Sequence, residues 1–347
     1  MLQVVLFFIF YFLAVAYEQQ GFKSRNIALA IICSVFAIIA GLRSWEWPDT
    51  GIYIVSFWRT HTLSDFSFTD RPMAYSEIGF YLLASIIKTI MDDDRFYLMV
   101  ISVLTFYFLF KDLKKYSLFP LIGLFAYISR FYIGRNFIQM RAGLAYVILM
   151  LSIKYIYEKD WKRYFFIVFI AWTIHRSALI AIPLYFICNW IKVKKWHVYV
   201  AIVVSFLIGL FGQGFMHNFI EDNASDLTIT AYTEQGDKRY VESLGLSNPI
   251  IYFQCFILLT YTFLEKRLAT QDKYYYIFRT AYLYSTAILI CFCSYRVLAA
   301  RTASIYATLE FAIIPALIYM FNKKNRQFAF FATGLILTGI FYMYINQ

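Results

Sequence analysis

The chain has 347 residues, of which 61% are hydrophobic and 21% aromatic, while only 15% are charged. That balance excludes a water-soluble domain, and 6 Pro with 14 Gly are too few for a linker-rich or low-complexity chain. Lys and Arg outnumber Asp and Glu by 32 to 21, giving a net charge of +11; this excess sits in short loops beside apolar segments, where it sets membrane orientation, so nucleic acid is not an expected partner.

Residues 1–17 lack a basic leader and are not followed by a small-residue cleavage site, so they read as a retained first span that starts outside. Six basic clusters, at Lys23/Arg25, Lys111/Lys114/Lys115, Lys154/Lys159/Lys162/Arg163, Lys192/Lys194/Lys195, Lys266/Arg267/Lys273 and Lys323/Lys324/Arg326, mark the cytoplasmic side. A second span over 26–42 emerges at Arg43 into a first external loop, 43–75. Two apolar segments follow, 77–91 and 96–110, yet only an odd number of crossings leads from Arg43 outside to Lys111 inside. The segment 77–91 is therefore expected to dip into the bilayer and return, leaving Asp92, Asp93 and Asp94 outside. Next, 118–133 rises, turns outside near Arg135, and 142–157 descends. The segment 164–190 has basic clusters at both ends and His175-Arg176 in its middle, which predicts two half-helices meeting at His175, with Pro183 in the second. Residues 198–211 lead to a large external loop, 213–248, and four more spans follow at 249–264, 277–295, 303–321 and 328–344.

Runs approaching about 20 apolar residues without period-two alternation must be helices in lipid, not barrel strands. The expected fold is an all-α polytopic integral membrane protein with about 11–13 membrane segments, some re-entrant or broken, forming one membrane domain over 1–347. No internal repeat is evident, which weighs against a transporter. The five cysteines lie in or beside apolar segments and read as small packing residues; neither a disulfide framework nor a metal site follows.

Charge inside such a chain needs a reason, because an Arg near the bilayer centre costs about 2.5–3.5 kcal/mol. Arg43, Arg130, Arg135, Arg141, Arg296 and Arg301 fall at the outer ends of spans, with His175 and Arg176 deeper. Long side chains reaching the headgroups would account for any one of them. Taken together they suggest an anion site, since guanidinium stays charged in apolar surroundings and grips phosphate with paired donors. No phosphate-binding glycine loop or dinucleotide turn is present, so an activated donor would arrive on a lipid.

Several short motifs carry a resemblance. Gly41-Leu42-Arg43 with Asp49-Thr50 and Tyr53, Glu77-Ile78-Gly79-Phe80, Arg141-Ala142-Gly143-Leu144-Ala145, His175-Arg176-Ser177-Ala178-Leu179-Ile180, and Arg301 with Tyr306 and Pro315 resemble, in order and spacing, the motifs of EpsG-like exopolysaccharide proteins and Wzy-type O-antigen and capsule polymerases. Pro48 stands where the family has a glycine before Asp49, and Ala142 where it has a glutamine after Arg141, so any role of that glutamine is lost.

The resemblance implies a membrane glycosyltransferase of the bacterial inner membrane. It would join oligosaccharide repeat units carried on undecaprenyl diphosphate, on the periplasmic face, with a chain-length regulator as a further partner. The leaving diphosphate needs positive charge, and Arg43, Arg135, Arg141, Arg176, Arg296 and Arg301 are the candidates. The attacking hydroxyl needs a base: His175 is the first choice, because imidazoles titrate near neutrality, and Asp49 and Glu77 are rivals that could instead be salt-bridge partners. Asp92-x-Asp94 reads as a solvated turn rather than a metal motif, and neither metal nor cofactor is expected. Glu310, on the same predicted helix as Arg301 but about half a turn away, reads as structural. Trp45, Trp47 and Tyr53 could stack on sugars. The alternative activities are an O-antigen ligase, a polysaccharide O-acyltransferase, and a flippase or transporter of lipid-linked sugars.

Overall fold

The computed structural model describes residues 2–20, 22–69, 77–212 and 243–345, and every regular element among them is helical. The main ones, in chain order, are α1 (Leu2–Glu18), α2 (Phe22–Gly41), α3 (Thr50–Trp58), α4 (Ile78–Ile90), α5 (Asp94–Tyr116), α6 (Pro120–Arg130), a π-turn (Ile133–Ile138), α7 (Met140–Met150), α8 (Ile153–Tyr157) and α9 (Trp161–Ile174). They continue with a 3-10 turn (Arg176–Ala181), α10 (Ile182–Trp190), α11 (Lys195–Phe211), α12 (Pro249–Phe263), α13 (Glu265–Leu268), α14 (Tyr275–Cys291), α15 (Arg296–Ala307), α16 (Glu310–Ala316) and α17 (Arg326–Ile345).

Among the described residues, four segments are long and apolar enough to cross a membrane: Phe22–Gly41, Asp94–Tyr116, Met140–Tyr157 and Lys323–Ile345. The pair Arg296–Ala307 and Glu310–Met320 qualifies jointly, and several shorter apolar helices of 10–17 residues accompany them. This is the all-α polytopic architecture expected from composition.

The chain divides into two compact units, one of Met1–Leu179 with Glu310–Gln347 and one of Ile180–Leu309. In the first, α6 is the central helix: all eleven of its residues are buried, and α1, α2, α5, α16 and α17 pack on it. Beside it run α5, α7, α9 and α4 in succession. In the second unit α14 is central, with α10, α11, α12 and α15 around it.

The predicted span at 303–321 is not one helix. Its apolarity is continuous, but α15 ends at Ala307 and α16 starts at Glu310. Arg301 and Glu310 thus stand on different helices in different units, and the half-turn relation expected between them does not hold. The first external loop, 43–75, contains a nine-residue helix, α3. Residues 213–242 of the expected large external loop lie outside the described residues. The segment 164–190 does break at His175: its backbone is extended (φ −152°), it closes α9 through its N–H to the Ala171 carbonyl at 2.8 Å, and Pro183 occupies the first turn of α10, where the missing N–H costs nothing.

Candidate functional site

The break at His175 places its side chain at the C-terminal end of α9, and the N-terminal end of α4 meets it there. A Cβ at Gly79 would run into the Thr173 side chain and stand 2.9 Å from the Thr173 carbonyl. The glycine thus lets the start of α4 press against the last turn of α9. Glu77, the residue before α4, is carried to His175 by that contact. A second close approach seats Arg141, one residue into α7. There a Cβ at Gly143 would lie 2.6 Å from the Arg135 carbonyl, so the π-turn packs directly on α7.

Glu77 is the hub of the resulting cluster. One carboxylate oxygen accepts from Arg141 Nη1 at 2.5 Å, and the other lies 3.3 Å from His175 Nδ1. Glu77 is only 8% exposed, and Arg141 and His175 keep 22% and 20% of their side-chain surface. A buried carboxylate is therefore held between two partners that each present an accessible edge. Arg141 lies 5.6 Å above the Tyr53 ring, and its buried Nε has no hydrogen-bond partner.

Further groups extend the cluster. The Tyr146 ring lies 6.0 Å from the His175 ring, its hydroxyl is 2.9 Å from Ser177 Oγ, and Arg135 stacks over it at 5.0 Å and over Phe131 at 4.1 Å. Arg176 and Glu77 line one cavity of about 120 Å³ with Ile78, Trp172 and Thr173. At about 30 Å³ per water, it has room for roughly four waters.

The other predicted residues have different surroundings. Arg43 is 3% exposed. Its guanidinium donates to Thr50 Oγ1 at 3.2 Å, to the Ala40 carbonyl at 2.9 Å and to Met140 Sδ at 2.8 Å, while its own carbonyl accepts from Arg95. Asp49 is exposed and adopts a left-handed backbone (φ 63°) before α3. Arg296 and Arg301 belong to α15 in the second unit. Arg130 pairs with buried Glu310 inside the first unit. Asp93 caps α5, accepting from the Phe96 N–H at 2.7 Å, and Asp92 pairs with Lys88 at 3.4 Å. Trp47 packs on Phe137 and Trp45 on Trp58. Among the described residues no group of three or more His, Cys, Asp and Glu is placed to hold a metal ion. Sequence reasoning missed Tyr146 and Ser177. Ser177 lies inside the His175–Ile180 motif and Tyr146 directly follows Ala145 of the Arg141 motif, so both were within reach of the signal.

A chain whose described residues include four helical apolar segments of spanning length, and a buried carboxylate between an arginine and a histidine, is a polytopic membrane protein carrying an ionic site. The chain belongs to the EpsG family, whose model matches residues 26–347. It is also similar to the amylovoran biosynthesis protein AmsC of Erwinia amylovora, 22% identical over 351 residues that cover 96% of this chain and 90% of that protein. No solved structure matches it.

Proposed function

We propose that the protein is a polysaccharide polymerase, a membrane glycosyltransferase that joins oligosaccharide repeat units carried on undecaprenyl diphosphate at the periplasmic face of the bacterial inner membrane. Membership of the EpsG family and the likeness to an amylovoran biosynthesis protein support a place in polysaccharide synthesis. The observation that carries the chemistry is Glu77, shared between Arg141 and His175. In this reading His175 is the base: Glu77 holds its Nδ1 side, leaving Nε2 to accept the proton of the attacking hydroxyl. Arg141, with its unpartnered Nε, meets the negative charge that grows on the departing diphosphate. Arg135 and Arg176 are assigned to the same anion, as is Arg43 on the motif resemblance. Asp49, the third candidate base, is the exposed one of the two carboxylates.

The test is complementation of a deletion strain with His175→Ala and Arg141→Ala, with surface polysaccharide resolved on a gel. Loss of a general base costs about 10²–10⁴-fold in rate, so both variants are expected to lose the polymer ladder while single repeat units still reach the surface. Loss of all surface sugar would instead mark a flippase or transporter. Polymer accumulating on its lipid carrier would mark a ligase, and a full ladder lacking only acyl groups an acyltransferase. An unaltered ladder from both variants would remove the site assignment.

A further inference from the structure

The second unit holds a cavity of about 780 Å³ between the segment joining α10 to α11 and the first turns of α14. Its charge is lopsided. Lys192, Lys194, Lys195 and Arg279 line it with four positive charges, and Glu265 adds one negative. Arg279 is 1% exposed; its Nη1 donates to Glu265 Oε2 and its Nη2 to the Val193 carbonyl, each at 2.6 Å. Its buried Nε has no hydrogen-bond partner. Glu265 therefore answers Arg279, and the three lysines are left uncompensated. The 17-residue helix α11 begins at Lys195, so its N-terminal N–H groups add further positive potential.

The rest of the wall is apolar and open to the surroundings: Trp196, Tyr199 and Tyr276 are 56%, 44% and 52% exposed. A free inorganic anion has no use for such a wall. A ligand with an anionic head and a hydrocarbon body uses both halves, and basic pockets between membrane helices on the cytoplasmic side suit phospholipid head groups. Lys192, Lys194 and Lys195 form one of the clusters that the positive-inside rule puts on that side. We propose that this cavity binds the phosphoryl head group of an anionic membrane lipid, with the lipid chains lying along Trp196, Tyr199 and Tyr276. The proposal is independent of the Glu77 site and is read without measuring polymer.

The full chain, purified in detergent, would be titrated with phosphatidylglycerol or phosphatidylcholine and bound lipid counted by native mass spectrometry. The variant is Lys192→Gln/Lys194→Gln/Lys195→Gln, with thermal melting as the folding control. At roughly five-fold per cation near a membrane surface, the triple variant should lose about 100-fold in phosphatidylglycerol affinity, and the unaltered protein should prefer phosphatidylglycerol over phosphatidylcholine. If the triple variant melts early, Lys192→Gln alone, exposed at the cavity edge, should show the single five-fold step. Equal affinity for the two lipids, unchanged affinity in the lysine variants, or displacement of phosphatidylglycerol by millimolar inorganic phosphate would overturn the proposal, the last by marking a free-phosphate site.

Discussion

Glu77 is the residue on which the site turns, because it accepts from the Arg141 guanidinium and lies 3.3 Å from the His175 imidazole while itself buried. Glu77→Gln keeps the shape and removes the charge. It leaves Arg141 without its counter-ion and His175 beside an amide free to present either face. We expect polymer formation to fall about 100-fold or more, measured as radiolabelled repeat units incorporated by isolated membranes; activity within two-fold of the unaltered protein would exclude Glu77 from the reaction. A different carboxylate contributes to the pH dependence of stability. Asp272 is 8% exposed, between α13 and α14, and accepts from the Tyr274 N–H at 2.8 Å. Burial pushes its carboxyl up from the ordinary 3.8 to about 6. The folded chain thus holds this proton more tightly than the unfolded chain does. The resulting stability is full below about pH 4 and is lost as pH rises through about 6. Melting of the purified protein between these limits should show that slope, and Asp272→Asn, which keeps the accepting oxygen but cannot ionise, should make it shallower.

At the scale of elements, the glycines in the motifs act by geometry. Gly79 sets α4 on α9, and an alanine there meets the Thr173 backbone, which cannot rotate away. Gly79→Ala should therefore cost about 1–3 kcal/mol in stability and reduce polymer formation by displacing Glu77. Gly134→Ala, whose Cβ would point into open space, is the matched control, and equal behaviour of the two would show that this crossing does not position the site. These crossings explain how far the sequence could be read. The motifs named Glu77, Arg141 and His175 separately, and basic clusters at both ends of an overlong apolar segment revealed the break at His175. What joins the three is helix-to-helix contact, which leaves only a glycine as its local trace. The π-turn at Ile133–Ile138 has no sequence mark, because the helices on either side of it are buried nearly all round and carry no polar face whose phase an extra residue would shift. The break after Ala307 has no sequence mark either, since Thr308 and Leu309 interrupt neither apolarity nor charge balance.

For the molecule as a whole, the decisive event is the return of the chain to its first unit. It leaves that unit after Leu179 and rejoins it at Glu310, the first residue of α16 and fully buried. Glu310 meets Arg130, the last residue of α6 and itself 8% exposed, across 180 positions of sequence. Two charges so far from water each require the other, since the desolvation of either alone has no compensation. No span-by-span reading finds such a pair: Arg130 reads as one more cation at an outer helix end, and Glu310 as a structural residue half a turn away from Arg301. The pair pins α16 to the C-terminal end of α6, the helix on which α1 and α17 also pack. Glu310→Gln should therefore cost about 3–5 kcal/mol, the usual penalty for orphaning a buried partner. Arg130→Met combined with Glu310→Leu removes both charges and should recover most of that loss, because an apolar pair of similar volume is often as stable as the ions it replaces. Thermal melting of the three proteins in one detergent separates the possibilities. A double variant no better than Glu310→Gln would mean that the ion pair supplies specificity which packing alone does not, and recovery of both melting and polymer would confine Arg130 to holding the first unit closed.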